Sequence, residues 1–130
     1  MKLIADANIL FSIAKKDSVT NKLIKEKDLE LIAPDYALKE LNKYSSLIEE
    51  KFNINFKNYI TQLKEKVKFL PISEYKDSLK EAKNIINDEK DIIYFAMALE
   101  FNPPIWSNDS EFKNQKQILV FNTKELILLL

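Results

Sequence analysis

The sequence predicts an α/β fold with a mostly parallel central sheet between helices. Three observations lead there. Short apolar runs alternate along the chain with stretches of helical spacing, the pattern of strands joined by helical crossovers. The first run, "KLIAD", reads as a buried strand that ends in a charge. A later segment, "DIIYFAMALEF", is apolar almost all round, as a helix buried against a sheet would be.

The elements follow in order. After the first strand, Ile9, Leu10, Ile13 and Ala14 in "ANILFSIAKK" have helical spacing. "SVTNKLIKEK" is a second short helix, and "LELIAP" a strand stopped by Pro34. "DYALKELNKYSSLIEEKF" is one amphipathic helix whose apolar stripe is Tyr36, Leu38, Leu41, Tyr44, Leu47 and Ile48. "FKNYITQLKEK" is a further helix, and residues from about 45 to 66 form a helical arm within a single domain spanning 1–130. "VKFLPI" is a strand, and "SEYKDSLKEAKNII" a helix with Ser73 as N-cap. "PPIWSND" carries a short strand and "QILVFN" another, before a closing helix "TKELILLL" capped by Thr123.

Composition narrows the chemistry. The 130 residues contain no Cys, no His and no Gly. Ser-His-Asp and Cys-His catalysis are excluded, as are zinc sites built on Cys or His. Neither a phosphate-cradling P-loop nor a dinucleotide fingerprint is present, since both need Gly. Left-handed backbone positions must fall to Asn or Asp. The remaining tools are carboxylates, hydroxyls, amides and lysines, a set suited to hard cations that take oxygen ligands. All 20 basic residues are Lys, balanced by 20 acids. That balance argues against a strongly basic nucleic-acid coat. No apolar run approaches a membrane span, the start lacks a signal-peptide core, and the expected location is the cytoplasm.

In a parallel α/β sheet, ligands bind beyond the carboxyl ends of the strands. Asp6 closes the first strand and Asp109 follows "PIWS". Asp91 opens the buried helix, and Glu40 lies beside the apolar stripe of the helix after the second strand. Each acid also has a structural reading. Asp6 suits the N-cap of the first helix, Asp88 the cap of "DEKD", Asp109 a turn in "NDSEF", and Glu40 a solvated helix position. The combination is more telling, because three apolar segments, "LIA", "PPIW" and "IIYFAMAL", each meet an acid.

These segments resemble the PIN domain, the small metal-dependent nuclease domain found in VapC-type toxins. The resemblance rests on "LIADANIL", "APDYALKEL" and "DEKDIIYFAMALEFNPPIWSNDSEF". In "DAN", Ala7 stands where the family usually has a hydroxyl residue. The resemblance implies a three-layer α/β/α fold and an acidic site of Asp6, Glu40, Asp91 and Asp109 that holds Mg²⁺ or Mn²⁺. It further implies that Asn8 orients the first carboxylate or touches a substrate phosphate, and that Ser107 hydrogen-bonds near the metal. Asp88 and Glu111 would be supporting acids. The implied activity is endoribonuclease cleavage of RNA, by the toxin of a toxin–antitoxin pair with an antitoxin protein as partner. A solitary RNA-processing nuclease of the same family is the alternative. Family members often form homodimers.

The chemistry suits such a site. Crowded carboxylates repel and hold protons until a cation relieves them. A bound divalent ion makes water a better nucleophile and stabilises transition-state charge. Lys15, Lys16 and Lys90 are candidates for phosphate contact, or plain solvated surface. Phe11, Tyr94 and Trp106 are aromatic but sit in apolar settings that favour core packing over base stacking. A phosphotransfer domain of receiver or phosphatase type would also carry acids at strand ends, but the D-x-N of the first strand and the "WSND" acid suit it less well. A catalytically dead binding relative would not need to retain all four acids.

Overall fold

A computed structural model describes residues 1–130. Five parallel strands form one sheet in the order β3-β2-β1-β4-β5. They are β1 (Lys2–Ala5), β2 (Glu30–Pro34), β3 (Val67–Leu70), β4 (Ile105–Trp106) and β5 (Val120–Phe121). β1 lies at the centre, pairing with β2 on one side and β4 on the other.

Side chains on a strand alternate between its two faces, and here both faces are covered. Leu3, Ala5, Leu31, Ala33, Val67 and Trp106 enter one core. Ile4, Ile32, Leu70, Ile105 and Val120 enter the other. Helices α1 (Ala7–Ser12), α2 (Val19–Glu26), α3 (Asp35–Lys43), α4 (Ser45–Phe52), α5 (Phe56–Lys66) and α8 (Thr123–Leu129) supply residues to the first core. The second core is closed by the four-residue helix α6 (Leu79–Ala82) and by α7 (Glu89–Phe101). The result is a helix, sheet and helix sandwich, the expected α/β architecture. In α7, Tyr94 through Ala98 are all buried, which explains why its sequence is apolar on every side.

The chain takes its left-handed backbone positions without glycine, at Asp28, Asn53 and Asn102, with φ of 49°, 52° and 72°. Asn102 ends α7 as a left-handed cap, and Pro103 prevents continuation.

Three local expectations change. The helix expected to run unbroken through residues 35–52 divides at Tyr44, whose φ of −107° and ψ of 18° turn the chain between α3 and α4. Ser45 and Ser46 follow the break, residues whose hydroxyls compete for backbone groups and weaken helix propagation. Of the expected stripe, Tyr36, Tyr44 and Leu47 are exposed, while Leu41 and Ile48 are in the core. The helix expected after Ser73 is two 3-10 turns, Ile72–Glu74 and Lys76–Ser78, followed by α6. Here Tyr75 must insert into the core and the Ser78 hydroxyl donates to Glu100 of α7 at 2.7 Å, so Ser73 caps nothing. The last helix is capped by Asn122, not Thr123, through a capping box with Glu125. The Thr123 hydroxyl instead accepts the Trp106 indole N–H at 3.0 Å.

Candidate active site

Strand order reverses direction about β1: β2 and β3 lie to one side, β4 and β5 to the other. The crevice beyond the carboxyl ends of β1 and β4 is therefore the switch point where α/β proteins bind ligands. Asp6 follows β1 directly, and Asp109 lies three residues after β4. α3 brings Glu40 to the same crevice and the first turn of α7 brings Asp91. All four acids line one pocket of about 130 Å³, together with Ala7, Asn8 and Lys90. Tyr36, Tyr94 and Phe112 complete its wall.

Asp6 is held from two directions. Its Oδ1 accepts the Ile9 N–H at 2.9 Å, capping α1. Its Oδ2 accepts the Ser107 hydroxyl. Ser107 Oγ in turn accepts the Asp109 N–H at 3.1 Å, so one buried hydroxyl ties the acid after β1 to the backbone after β4. Asp6 is thus a cap and a pocket carboxylate at once. This clamp works with Ala7 in place of a hydroxyl residue. Asn8 is exposed at the pocket rim.

Burial raises the Asp6 carboxyl above its ordinary pKa. The hydrogen bonds from Ser107 and Ile9 oppose the rise, and the Asp109 charge adds to it. The Asp91 carboxyl is pushed up to about 6, first by burial and then by the charges of Asp88, Asp109, Asp6 and Glu111. Burial also raises the Tyr94 phenol, with the Asp6 charge second, so this hydroxyl stays protonated. The Glu40 carboxylate beside the Tyr36 hydroxyl raises that phenol. Glu40 Oε1 is itself buried without a hydrogen-bond partner. Its nearest cation, Lys43 Nζ, is 3.8 Å away.

The supporting acids sit closer together than expected. Carboxylate oxygens of Asp88, Asp91 and Glu111 lie within 4.8 Å of one another, and these residues line an adjoining hollow. Asp91 therefore belongs to both groups. Asp88 also caps α7 through the Lys90 N–H at 3.0 Å, and Asp109 Oδ1 accepts the Glu111 N–H at 2.9 Å. Of the three lysines considered, Lys90 lines the pocket. Lys15 and Lys16 sit on a loop whose carbonyls accept from the Asn21 amide. Trp106 and Tyr94 are buried, as their apolar settings suggested.

Sequence reading missed Tyr36 as a pocket residue because it was assigned to a buried stripe. A signal was present: Tyr36 and Glu40 are spaced i, i+4 and so share one helix face.

Like-charge crowding at Asp91 has a measurable consequence. Because the folded pKa of about 6 exceeds the ordinary 3.8, the folded protein binds more protons than the unfolded chain between those pH values. Without added cations, its stability should therefore fall as pH rises through that window. Asp91 is partly exposed, so solvent screening reduces the effect to about 1 kcal/mol. Asp91→Asn is expected to flatten this slope in melting curves recorded from pH 4 to pH 7 in EDTA. Identical slopes for both proteins would mean that the crowding has no energetic weight.

Comparison with known proteins agrees with this fold. The chain is similar in fold to a chain of VapBC2 from Rickettsia felis, solved bound to a DNA fragment from their promoter. The TM-score is 0.69 at 16% identity, over 94% of this chain and 98% of that one. It is also similar to PAE2754 from Pyrobaculum aerophilum, with a TM-score of 0.65 at 14% identity, over 99% of this chain and 88% of that one. No curated protein sequence matches it. No helix is long and apolar enough to cross a membrane. The family model of the PIN domain matches residues 4–122; with a parallel sheet that opens its switch point onto acids from four separate segments, the chain belongs to the PIN domain family.

Proposed function

We propose that the protein is a metal-dependent endoribonuclease, acting as the toxin of a VapC-type toxin–antitoxin pair. The observation that carries this reading is the convergence of Asp6, Glu40, Asp91 and Asp109 on one pocket, where a buried Glu40 oxygen makes no hydrogen bond and meets the Lys43 ammonium only at 3.8 Å. A buried carboxylate oxygen without a hydrogen bond is costly, and a cation closer than the Lys43 ammonium would offset that cost. The donor set is all oxygen, which fits Mg²⁺ or Mn²⁺. Asp6, Glu40, Asp91 and Asp109 would hold the ion, with Asp88 and Glu111 beside Asp91 as supporting acids. When bound, the ion supplies Lewis acidity to the phosphodiester undergoing hydrolysis.

The chain's own residues have distinct tasks. Ser107 and the Ile9 N–H fix the Asp6 carboxylate in one orientation before substrate arrives, which lowers the reorganisation needed during reaction. Asp91, pushed up to about 6 by burial and by the neighbouring acids, holds a proton more tightly than an ordinary carboxyl and would be fully ionised as a ligand of a bound cation. Lys90 at the rim offers a point charge to a phosphate. The Asn8 amide, also at the rim, can donate to a phosphate oxygen. The fold shared with a VapBC2 chain supports an antitoxin protein as partner.

The test is cleavage of RNA by purified protein. Cutting is expected with Mg²⁺ or Mn²⁺ and is expected to stop in excess EDTA, returning when either ion is restored. Undiminished cutting in EDTA would overturn the metal-site reading.

A further inference from the structure

Ionised carboxylates only accept hydrogen bonds, and so do the oxygens of a phosphodiester. A pocket that takes a phosphodiester must therefore supply donors as well as metal ligands. At its rim these are the Asn8 amide and Lys90. One donor lies deeper. Tyr94 lines the same pocket although it is only 5% exposed, and its hydroxyl has no task in the proposed chemistry.

Local structure explains how that hydroxyl is presented. Asp91 and Tyr94 are spaced i, i+3 on α7, so they share one helix face. The Tyr94 ring packs against Phe112, centroid to centroid 6.2 Å, and Phe112 packs on Phe95 at 5.3 Å. Both phenylalanines are buried, so the core fixes the ring. Burial raises the phenol most. The other groups acting on it are the Asp6 charge, the Ala7 backbone N–H, and the Glu40 and Asp91 charges, all from residues that line the pocket. The N–H faces the phenol oxygen as a donor. The carboxylates act through charge, and none of them accepts the phenol proton in a hydrogen bond. The hydroxyl is not sealed in, for the enclosed side-chain atom without a partner is Glu40 Oε1. Tyr94 thus holds a protonated donor, without an acceptor, open to the pocket among three carboxylates.

The chemistry of that donor selects its partner. A divalent ion has no lone pair to offer it. A phosphate oxygen drawn to such an ion is an anionic acceptor, the kind that makes the stronger hydrogen bonds. We propose that Tyr94 is a catalytic residue of this site, whose phenol hydroxyl donates a hydrogen bond to a non-bridging oxygen of the phosphodiester undergoing hydrolysis. The proton stays on the phenol throughout, and the bond stabilises charge on that oxygen in the transition state. The proposal rests on the nuclease reading for the identity of the substrate.

The experiment compares wild type with Tyr94→Phe, which keeps the ring and removes only the hydroxyl. It reads the unfolding midpoint in EDTA, Mn²⁺ affinity without RNA, and the kinetics of RNA cleavage. The midpoint should hold or rise, because a buried donor without an acceptor is costly. Mn²⁺ affinity should be unchanged, because a phenol that keeps its proton is not a ligand. kcat should fall by roughly 10- to 1,000-fold, the scale for one preorganised donor. KM should change little, as for a contact made chiefly in the transition state. RNA with sulfur in place of one non-bridging oxygen gives a further readout. Sulfur is a weak acceptor, so one of the two phosphorothioate diastereomers should slow wild type and slow Tyr94→Phe far less. Undiminished kcat, or sulfur effects alike in the two proteins, would each overturn the proposal. So would weaker Mn²⁺ binding, which would make the hydroxyl a support of the metal ligands, or a midpoint lowered by several degrees, which would make it structural. Metal-dependent cleavage that Tyr94→Phe retains in full removes the role of Tyr94 alone. No cleavage by wild type under any divalent ion removes the nuclease reading, and the proposal with it.

Discussion

Replacing Asp6 or Asp91 by Asn is expected to lower metal-dependent RNA cleavage by at least roughly 100-fold, the scale seen when one preorganised electrostatic element is removed from an active site. The same changes should leave the fold intact. At position 6 the substituted amide oxygen can still accept the Ile9 N–H that caps α1. Its NH₂ faces Ser107 Oγ, which has a lone pair to spare after accepting from Asp109. Asp6 is 4% exposed, and burial is the main reason its carboxyl resists ionisation. Neutralising it removes a desolvation cost, so the melting temperature in EDTA should hold or rise. At position 91, Asn removes one of several repelling charges and the same direction is expected. The pairing of lost activity with retained stability is what separates a functional carboxylate from a structural one. Loss of both together would return Asp6 to the role of a helix cap. Retention of both would remove these acids from the chemistry.

Trp106→Ala is expected to destabilise the protein by about 3–5 kcal/mol, the range for truncating a fully buried aromatic. Trp106 is 0% exposed and occupies a two-residue strand between β1 and β5. Its indole N–H reaches across to Thr123 at the start of α8, so the change opens a cavity and also cuts a link between the sheet and the closing helix. For a chain of this length the midpoint should drop by roughly 10–20 °C, measured by circular dichroism because Trp106 is the only tryptophan. Trp106→Phe keeps most of the packing and should cost much less. Because Ser107 follows immediately and clamps Asp6, the Ala variant should lose nuclease activity at temperatures where it is still folded. A drop of only a few degrees would show that the sheet edge repacks around the missing ring.

The large pattern was legible because it repeats. Strand and helix alternation is written in hydrophobic period, and in a chain without glycine the left-handed positions had to be Asn or Asp, as Asp28, Asn53 and Asn102 are. Local endings were less legible. Ser73 and Thr123 have good capping chemistry, yet neither caps a helix. The Thr123 hydroxyl was taken by an indole from another strand, and Tyr75 was drawn into the core. In both places a distant partner outweighed a local preference worth about 1 kcal/mol.

The amino-acid sequence alone determined that the chemistry must run on oxygen ligands and lysines, since no His, Cys or Gly is present. It also placed acids after the first and fourth strands and at the start of the buried helix, because strand ends and helix starts are local features. Only the tertiary structure decided how those acids are grouped and held. The Ser107 hydroxyl reaches Asp6 across 101 positions of sequence, Asp91 joins both Asp88 with Glu111 and the pocket acids, and the chain breaks at Tyr44, with Tyr44 and Leu47 of the expected buried stripe exposed. These are contacts between segments far apart in the chain, which hydrophobic period and capping preference do not encode.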